Sequence, residues 1–234
     1  MHRIEAEIAD IFSSVQGEGV FVGARQIFVR FKRCNMNCVF CDEYKDAEPR
    51  VFTPAALMAE IENLAKEKGV FHSVSLTGGE PLMYADFLKA FLPLLHKKGM
   101  KAYLETNGTL PAELAGVIDL VDIVAMDFKL PSSTLERPLW DEHFEFLKIA
   151  LRKSVFVKAV VTPSTTLADI EKAAELIGKA GRSVPFILQP VTPVNVGDKE
   201  IPKETLLRFL EVGAKHNIEN IRVIPQVHKM LKLK

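Results

Sequence analysis

Cysteine is scarce in this chain. There are three in 234 residues, an odd number, and all of them lie between Cys34 and Cys41. A disulfide scaffold would distribute an even set along the sequence, so that class is excluded. Net charge is missing too: 30 Lys and Arg balance 30 Asp and Glu, which argues against a nucleic-acid binder working through bulk positive charge. No uninterrupted apolar run reaches the roughly 18 residues that a membrane span needs. The opening MHRIEAEIAD is too polar and acidic for a signal peptide, so no membrane partner and a cytoplasmic location are expected. Repeats, low-complexity stretches and Gly/Ser linkers are absent as well, and one domain over 1–234 is expected. The 48% hydrophobic and 26% charged residues rule out a largely disordered chain.

What is present is an alternation of short apolar runs with amphipathic stretches. Strands are expected at 27–31, 72–76, 102–104, 123–126, 155–161, 186–188 and 221–224. Helices are expected from Pro54, capped by Thr53, to about Lys68, with Gly69 as the stop, and at 87–98, where Gly99 closes the helix. Further helical patterns cover 139–151, 167–179 and 203–216. Such alternation points to βαβ units and a parallel sheet. Seven runs suit either a partial (β/α) barrel or an open doubly wound sheet. A full eight-unit barrel usually takes about 250 residues, so the partial, TIM-type barrel is favoured. In either architecture the loops after the carboxyl ends of the strands carry the chemistry.

Directly after the 27–31 strand comes Cys34-Asn-Met-Asn-Cys38-Val-Phe-Cys41, a C-x3-C-x2-C spacing. Three thiolates within eight residues close on one inorganic centre only if the loop wraps around it. A structural zinc site takes four ligands, and here the fourth would have to be Asp42 or a remote histidine such as His72. An iron–sulfur cubane can be held by three cysteines, leaving one iron open to a small ligand. A zinc site and three unrelated buried thiols stand as the bland alternatives. Thr77-Gly78-Gly79-Glu80-Pro81 follows the next strand. Its glycines permit close backbone approach, and Glu80 offers an anionic partner to an ammonium group. A plain strand-to-helix turn is the alternative there.

The cysteine spacing and its place after the first barrel strand resemble the signature of the radical S-adenosylmethionine (radical SAM) superfamily. The resemblance implies a 4Fe–4S cluster on Cys34, Cys38 and Cys41. One electron into that cluster cleaves S-adenosylmethionine to methionine and a 5′-deoxyadenosyl radical. The 77–81 segment resembles the superfamily's GGEP motif, so Gly79 and Glu80 are implied contacts of the cofactor's methionine amino group. Ser14-Val15-Gln16-Gly17-Glu18-Gly19, Leu104-Glu105-Thr106-Asn107-Gly108-Thr109, Asp127-Phe128-Lys129 with Pro131-Ser132-Ser133, Leu188-Gln189-Pro190 and Gln226-Val227-His228-Lys229 occur together. This set resembles the 7-carboxy-7-deazaguanine synthase family, over nearly the whole chain from Phe12 to His228.

That resemblance implies a ring-contracting carbon–nitrogen lyase that converts 6-carboxy-5,6,7,8-tetrahydropterin to 7-carboxy-7-deazaguanine with release of ammonia, in queuosine biosynthesis. Implied substrate contacts are Val15, Gln16, Gly17, Glu18, Arg30, Thr77 and His228. Arg30 would grip the pterin carboxylate, a task that suits a guanidinium fork, and Glu18 would read the donor-rich edge of the aminopyrimidinone. Arg30 as a surface ion-pair partner and His228 as a structural histidine are the alternatives. Implied cofactor contacts are Phe40, Asp42, Gly79, Glu80, Asp127, Phe128, Lys129, Gln189 and Pro190. The family has Thr after the Cys-Asp pair as a ligand of Mg2+; this chain has Glu43, a hard oxygen donor that could take the same ion. Expected partners are the small-molecule pterin, an external one-electron donor such as flavodoxin, and a second copy in a homodimer. The rival readings are another small radical SAM enzyme, such as a glycyl-radical activase, and a non-catalytic zinc- or cluster-binding protein.

Overall fold

A computed structural model describes residues 4–41, 48–67, 70–193 and 200–233. One nine-stranded sheet runs in the order β3-β1-β2-β4-β5-β6-β7-β8-β9. Its strands are β1 (Ala6–Val15), β2 (Arg25–Phe31), β3 (Arg50–Phe52), β4 (Ser73–Gly78), β5 (Ala102–Thr106), β6 (Ile123–Asp127), β7 (Ser154–Val161), β8 (Phe186–Pro190) and β9 (Ile221–Val223). From β2 to β9 all neighbours pair in parallel, whereas β1 lies antiparallel to both β2 and β3. The parallel order never reverses. A doubly wound sheet needs a reversal to create its switch point, so the architecture is the partial (β/α) barrel.

The helices are α1 (Pro54–Glu67), α2 (Ala85–Lys97), α3 (Pro111–Val117), α4 (Pro131–Thr134), α5 (Trp140–Ala150), α6 (Leu167–Ala180), α7 (Lys203–Lys215) and α8 (Val227–Met230). The long ones pack in sequence against one face of the sheet, α1 on α2, α2 on α3, α3 on α5, α5 on α6 and α6 on α7. Successive crossovers of one hand produce that layer. Val74, Leu76, Leu104, Val124, Met126, Val157 and Leu188 are buried beneath Leu57, Leu88, Phe91, Phe146, Ile170 and Phe209. Each such large side chain contributes about 1.5–3 kcal/mol by leaving water. The other face forms the lumen, with a second apolar cluster of Tyr103, Ile123, Ala125, Phe156 and Ile187, against which Val20 and Phe21 pack.

The seven expected strands are β2 and β4–β9. Two strands, β1 and β3, and three short helices, α3, α4 and α8, were not expected. In β1 the register shifts between Ile8 and Asp10, and this irregularity breaks the alternation that marks a strand. β3 and α3 are too short to show a period. Lys68 and Gly69, the expected end of α1, lie outside the described residues.

Candidate active site

The cysteine loop is seated by close backbone contact. Gly79 N–H donates to Phe31 O at 2.8 Å and Glu80 N–H to Arg33 O at 2.7 Å. A Cβ on Gly79 would lie 2.1 Å from Arg33 O, so only glycine permits this approach. The contact these glycines allow is therefore with the first residues of the cysteine loop. From the next strand, Asn107 Nδ2 donates to Asn35 Oδ1 at 2.8 Å, and Asn35 Nδ2 donates to Thr109 Oγ1 at 2.9 Å. From the far side, Asn37 N–H donates to Glu136 Oε1 at 2.8 Å and Val39 N–H to Thr134 O at 3.3 Å.

Within this seat Cys34 feels the charge of Cys41, and Cys38 feels both other cysteines and Lys129. Burial raises both thiols, Cys38 to about 11. Among the described residues no three Cys, His, Asp or Glu side chains converge as they would on a single ion. Three free thiols on one loop, with a lysine beside them, are a donor set that suits a cubane, which spreads its ligands over separate irons. Lys129 Nζ also lies 5.5 Å from the Phe40 ring centroid, which brings Phe40 to the same edge.

Glu80 is fully buried and closes on its own scaffold. It accepts from Leu82 N–H at 3.0 Å, Thr106 Oγ1 at 2.9 Å and Asn107 N–H at 2.7 Å. Burial outweighs these donors and lifts its carboxyl to about 7. Its visible work is to lock the end of β4 to the end of β5. The Phe128 ring is buried on the helix side, stacked on His143 at 4.7 Å. The Phe128 backbone N–H continues the β6–β7 ladder, donating to Lys158 O at 2.7 Å. Asp127 ends β6 and Gln189 is the penultimate residue of β8, and Asp127 Oδ1 and Gln189 Oε1 are buried without a partner among the described residues. Pro190, half-buried, follows at the same edge.

The opposite end of the lumen is closed by the turn after β1 and by residues 226–228. Because β1 runs antiparallel to β2, Val15 pairs with Arg25 at the amino end of the parallel strands, and residues 16–21 cross beneath. Val227 N–H donates to Gly17 O at 2.9 Å, and a Cβ on Gly17 would lie 2.1 Å from His228 Nδ1. Gln16 Nε2 donates to Gln26 Oε1 at 3.0 Å and to Glu105 Oε1 at 2.9 Å, while its Oε1 accepts from Glu18 N–H at 2.9 Å. Its side chain therefore shapes the turn. Arg30 and Thr77 are paired residues on β2 and β4, so they share the lumen face, and Thr77 Oγ1 donates to Glu105 Oε2 at 3.3 Å.

Glu18 accepts from Gln226 Nε2 at 2.9 Å and forms a close ion pair with Lys158. Burial by itself would raise its carboxyl. The Lys158 charge and the hydrogen bonds from Gln226 and Lys158 win instead and hold it at about 2. A carboxylate with two such partners keeps lone pairs for further N–H donors. Asp42 and Glu43 lie outside the described residues.

Residues 28–177 match the radical SAM superfamily. A 7-carboxy-7-deazaguanine synthase of Geobacter sulfurreducens is 39% identical, with 99% of each chain covered. Another of that name, from Methanothermobacter thermautotrophicus, is 35% identical over the whole of both chains. The chain belongs to this family. It is a radical SAM enzyme, and membership implies a 4Fe–4S cluster, S-adenosylmethionine and a source of electrons. The crystal structure of QueE from Escherichia coli shares the fold, with a TM-score of 0.63 at 21% identity, covering 96% of this chain and 95% of that one.

Several residues of this family member were not assigned roles from the sequence. Lys158 sits in the apolar-looking run of β7, where one lysine reads as a solvated position. Asn35, Asn107 and Glu105 stood inside recognised segments, but their work is to bond one segment to another. Gln226 meets Glu18 across a separation of 208 residues, which no local pattern shows. The described helices include none long and apolar enough to cross a membrane.

Proposed function

We propose that this family member contracts the ring of 6-carboxy-5,6,7,8-tetrahydropterin to 7-carboxy-7-deazaguanine with release of ammonia. What supports the reading most is the pairing of the two ends of one lumen. A three-thiol loop lies at the carboxyl ends of the strands, and a polar floor of Gly17, Glu18 and His228 lies below it. An ionised Glu18 suits the N–H edge of an aminopyrimidinone, and Arg30 suits a carboxylate through its planar fork. Val15, Gln16 and Gly17 then shape the floor, with Thr77 on the wall. Gly79, Glu80, Asp127, Lys129, Gln189 and Pro190 surround the cofactor end, with Phe128 contributing backbone. The cluster and S-adenosylmethionine supply the radical chemistry; the chain holds, orients and shields.

The same reading includes Mg2+ held by Glu43, two residues beyond Cys41, next to Asp42 as a cofactor contact. It also includes a flavodoxin-type electron donor, a cytoplasmic setting and a homodimer. If Glu43 binds Mg2+, Glu43→Gln raises the Mg2+ concentration needed for turnover, because a carboxylate attracts the ion by charge. Superimposable titrations of wild type and variant would remove Glu43 from the site. The substrate test is incubation of reconstituted, reduced protein with S-adenosylmethionine and the tetrahydropterin acid, followed by mass spectrometry. 7-Carboxy-7-deazaguanine is the expected product; 5′-deoxyadenosine without any deazapurine would refute the assignment.

A further inference from the structure

Four charged side chains cross the lumen in alternating sign. Lys129 Nζ donates to Asp127 Oδ2 at 2.9 Å, Asp127 Oδ2 lies 3.6 Å from Lys158 Nζ, and Lys158 pairs with Glu18. None of these side chains is more than 16% exposed. The row begins beside the cysteine loop, through Lys129, and ends on the floor, where Glu18 meets Gln226. Burying four charges is costly, and an apolar filling of equal volume is often as stable. This fold shows that it can make such a filling: Phe156, two residues before Lys158 on the same strand and the same face, packs with Tyr103 and Ile187. Packing alone therefore does not account for a lysine at 158. Its burial favours the neutral amine, yet Glu18, Asp127 and Glu105 together raise it above an ordinary lysine, so it acts neither as a base nor as a nucleophile.

We infer that Lys158 is a positioning residue that couples the two ends of the site. It holds the Glu18 carboxylate towards the N–H edge of a planar aminopyrimidinone, and the same ammonium braces Asp127 at the cofactor end. Substrate orientation is thereby tied to the place where the cofactor's reactive carbon arrives. The inference rests on the assignment of Glu18 to the pterin edge. It specifies what that assignment leaves open, namely which side chain sets the register between substrate and cofactor.

Two measurements on reconstituted holoenzyme test it. One is the equilibrium affinity for fluorescent, fully oxidised 6-carboxypterin, which needs no turnover. The other is the number of 5′-deoxyadenosine molecules formed per deazapurine. Lys158→Met should weaken binding roughly 30-fold or more, as expected when one partner of a buried pair is removed, and should raise the ratio several-fold. Lys158→Arg, which keeps the charge, should restore binding to within about fivefold of wild type. In a Glu18→Gln background, Lys158→Met should cost less than about threefold further, because the two act as one unit. That double variant also removes one charge of each sign, so it remains informative if Lys158→Met alone does not fold. Unchanged affinity in Lys158→Met, failure of Lys158→Arg to rescue, or independent multiplication of the two losses would each overturn the role. Wild type that binds no pterin would instead overturn the substrate assignment, and this inference with it.

Discussion

The two ends of the lumen are built by different means. At the upper end, the parts gather around the strand termini: Gly79 just after β4, Asn107 just after β5, Asp127 at the end of β6 and Gln189 near the end of β8, with Thr134 and Glu136 holding the far side of the cysteine loop. These segments need only local geometry, a tight glycine contact and side-chain amides that hold the cysteine loop by Asn35. At the lower end, residues 16–21, which follow β1, meet residues 226–228, with Glu18 and Gln226 lying 208 residues apart in the chain. Under the proposed assignment the strand-end loops serve the cofactor, whereas the substrate is met by the floor segments outside the repeat together with Arg30 and Thr77 on the wall. The ends should therefore fail separately.

The largest separation is expected for the cysteines. Replacing Cys34, Cys38 or Cys41 by Ala should abolish cleavage of S-adenosylmethionine altogether; full 5′-deoxyadenosine production by any one of them would break the comparison. The paired glycines come next. Gly79→Ala drives a methyl into Arg33 O and should displace the cysteine loop, lowering the about four irons per chain expected of a cubane. Gly17→Ala meets the His228 ring instead, overpacking worth about 1–3 kcal/mol. It should keep its iron while deazapurine formation falls on the order of 100-fold. Iron analysis and product assay on the same preparations separate the two.

The expectations that held came from periodicity and from compact motifs. The apolar cores of β4, β6 and β8 were legible, because β4 alternates Val74 and Leu76 with serines while β6 and β8 open on short, continuous, buried apolar runs. Their carboxyl ends were not, since Thr77-Gly78, Asp127 and Gln189-Pro190 continue the ladder with residues that read as loop. The cysteine loop was legible because three thiols in eight residues have few other uses. Lys158 and Gln226 were not, because their meaning comes from partners 140 and 208 residues away. Glu80 was legible as a motif residue, but its bonds to Leu82, Thr106 and Asn107 could not be seen in the sequence.

A smaller effect is expected for Arg30→Lys. A point charge cannot reproduce a planar fork, so pterin affinity should fall roughly tenfold while substrate-independent cleavage of S-adenosylmethionine stays nearly intact. Equal losses in both would make Arg30 part of the scaffold. The smallest effect concerns stability in acid. Glu18 titrates at about 2 in the folded protein, below the ordinary 4.5. Its contribution is present above pH 4.5 and is lost as pH falls towards 2, because protonation then favours the unfolded chain. Acid unfolding followed by circular dichroism should show a shallower loss in Glu18→Gln over that window. An identical acid limb would mean that Glu18 is not held by its partners.

The separation of the two ends is tested most directly by two rates measured on one preparation of Glu18→Gln holoenzyme. Cleavage of S-adenosylmethionine without substrate should remain within about threefold of wild type, since Glu18 reaches the cysteine loop only through Lys158, Asp127 and Lys129, whose charges all stay in place, while deazapurine formation should fall on the order of 100-fold. If both rates fall by the same factor, the lumen works as one undivided site and the assignment of the floor to the substrate is wrong.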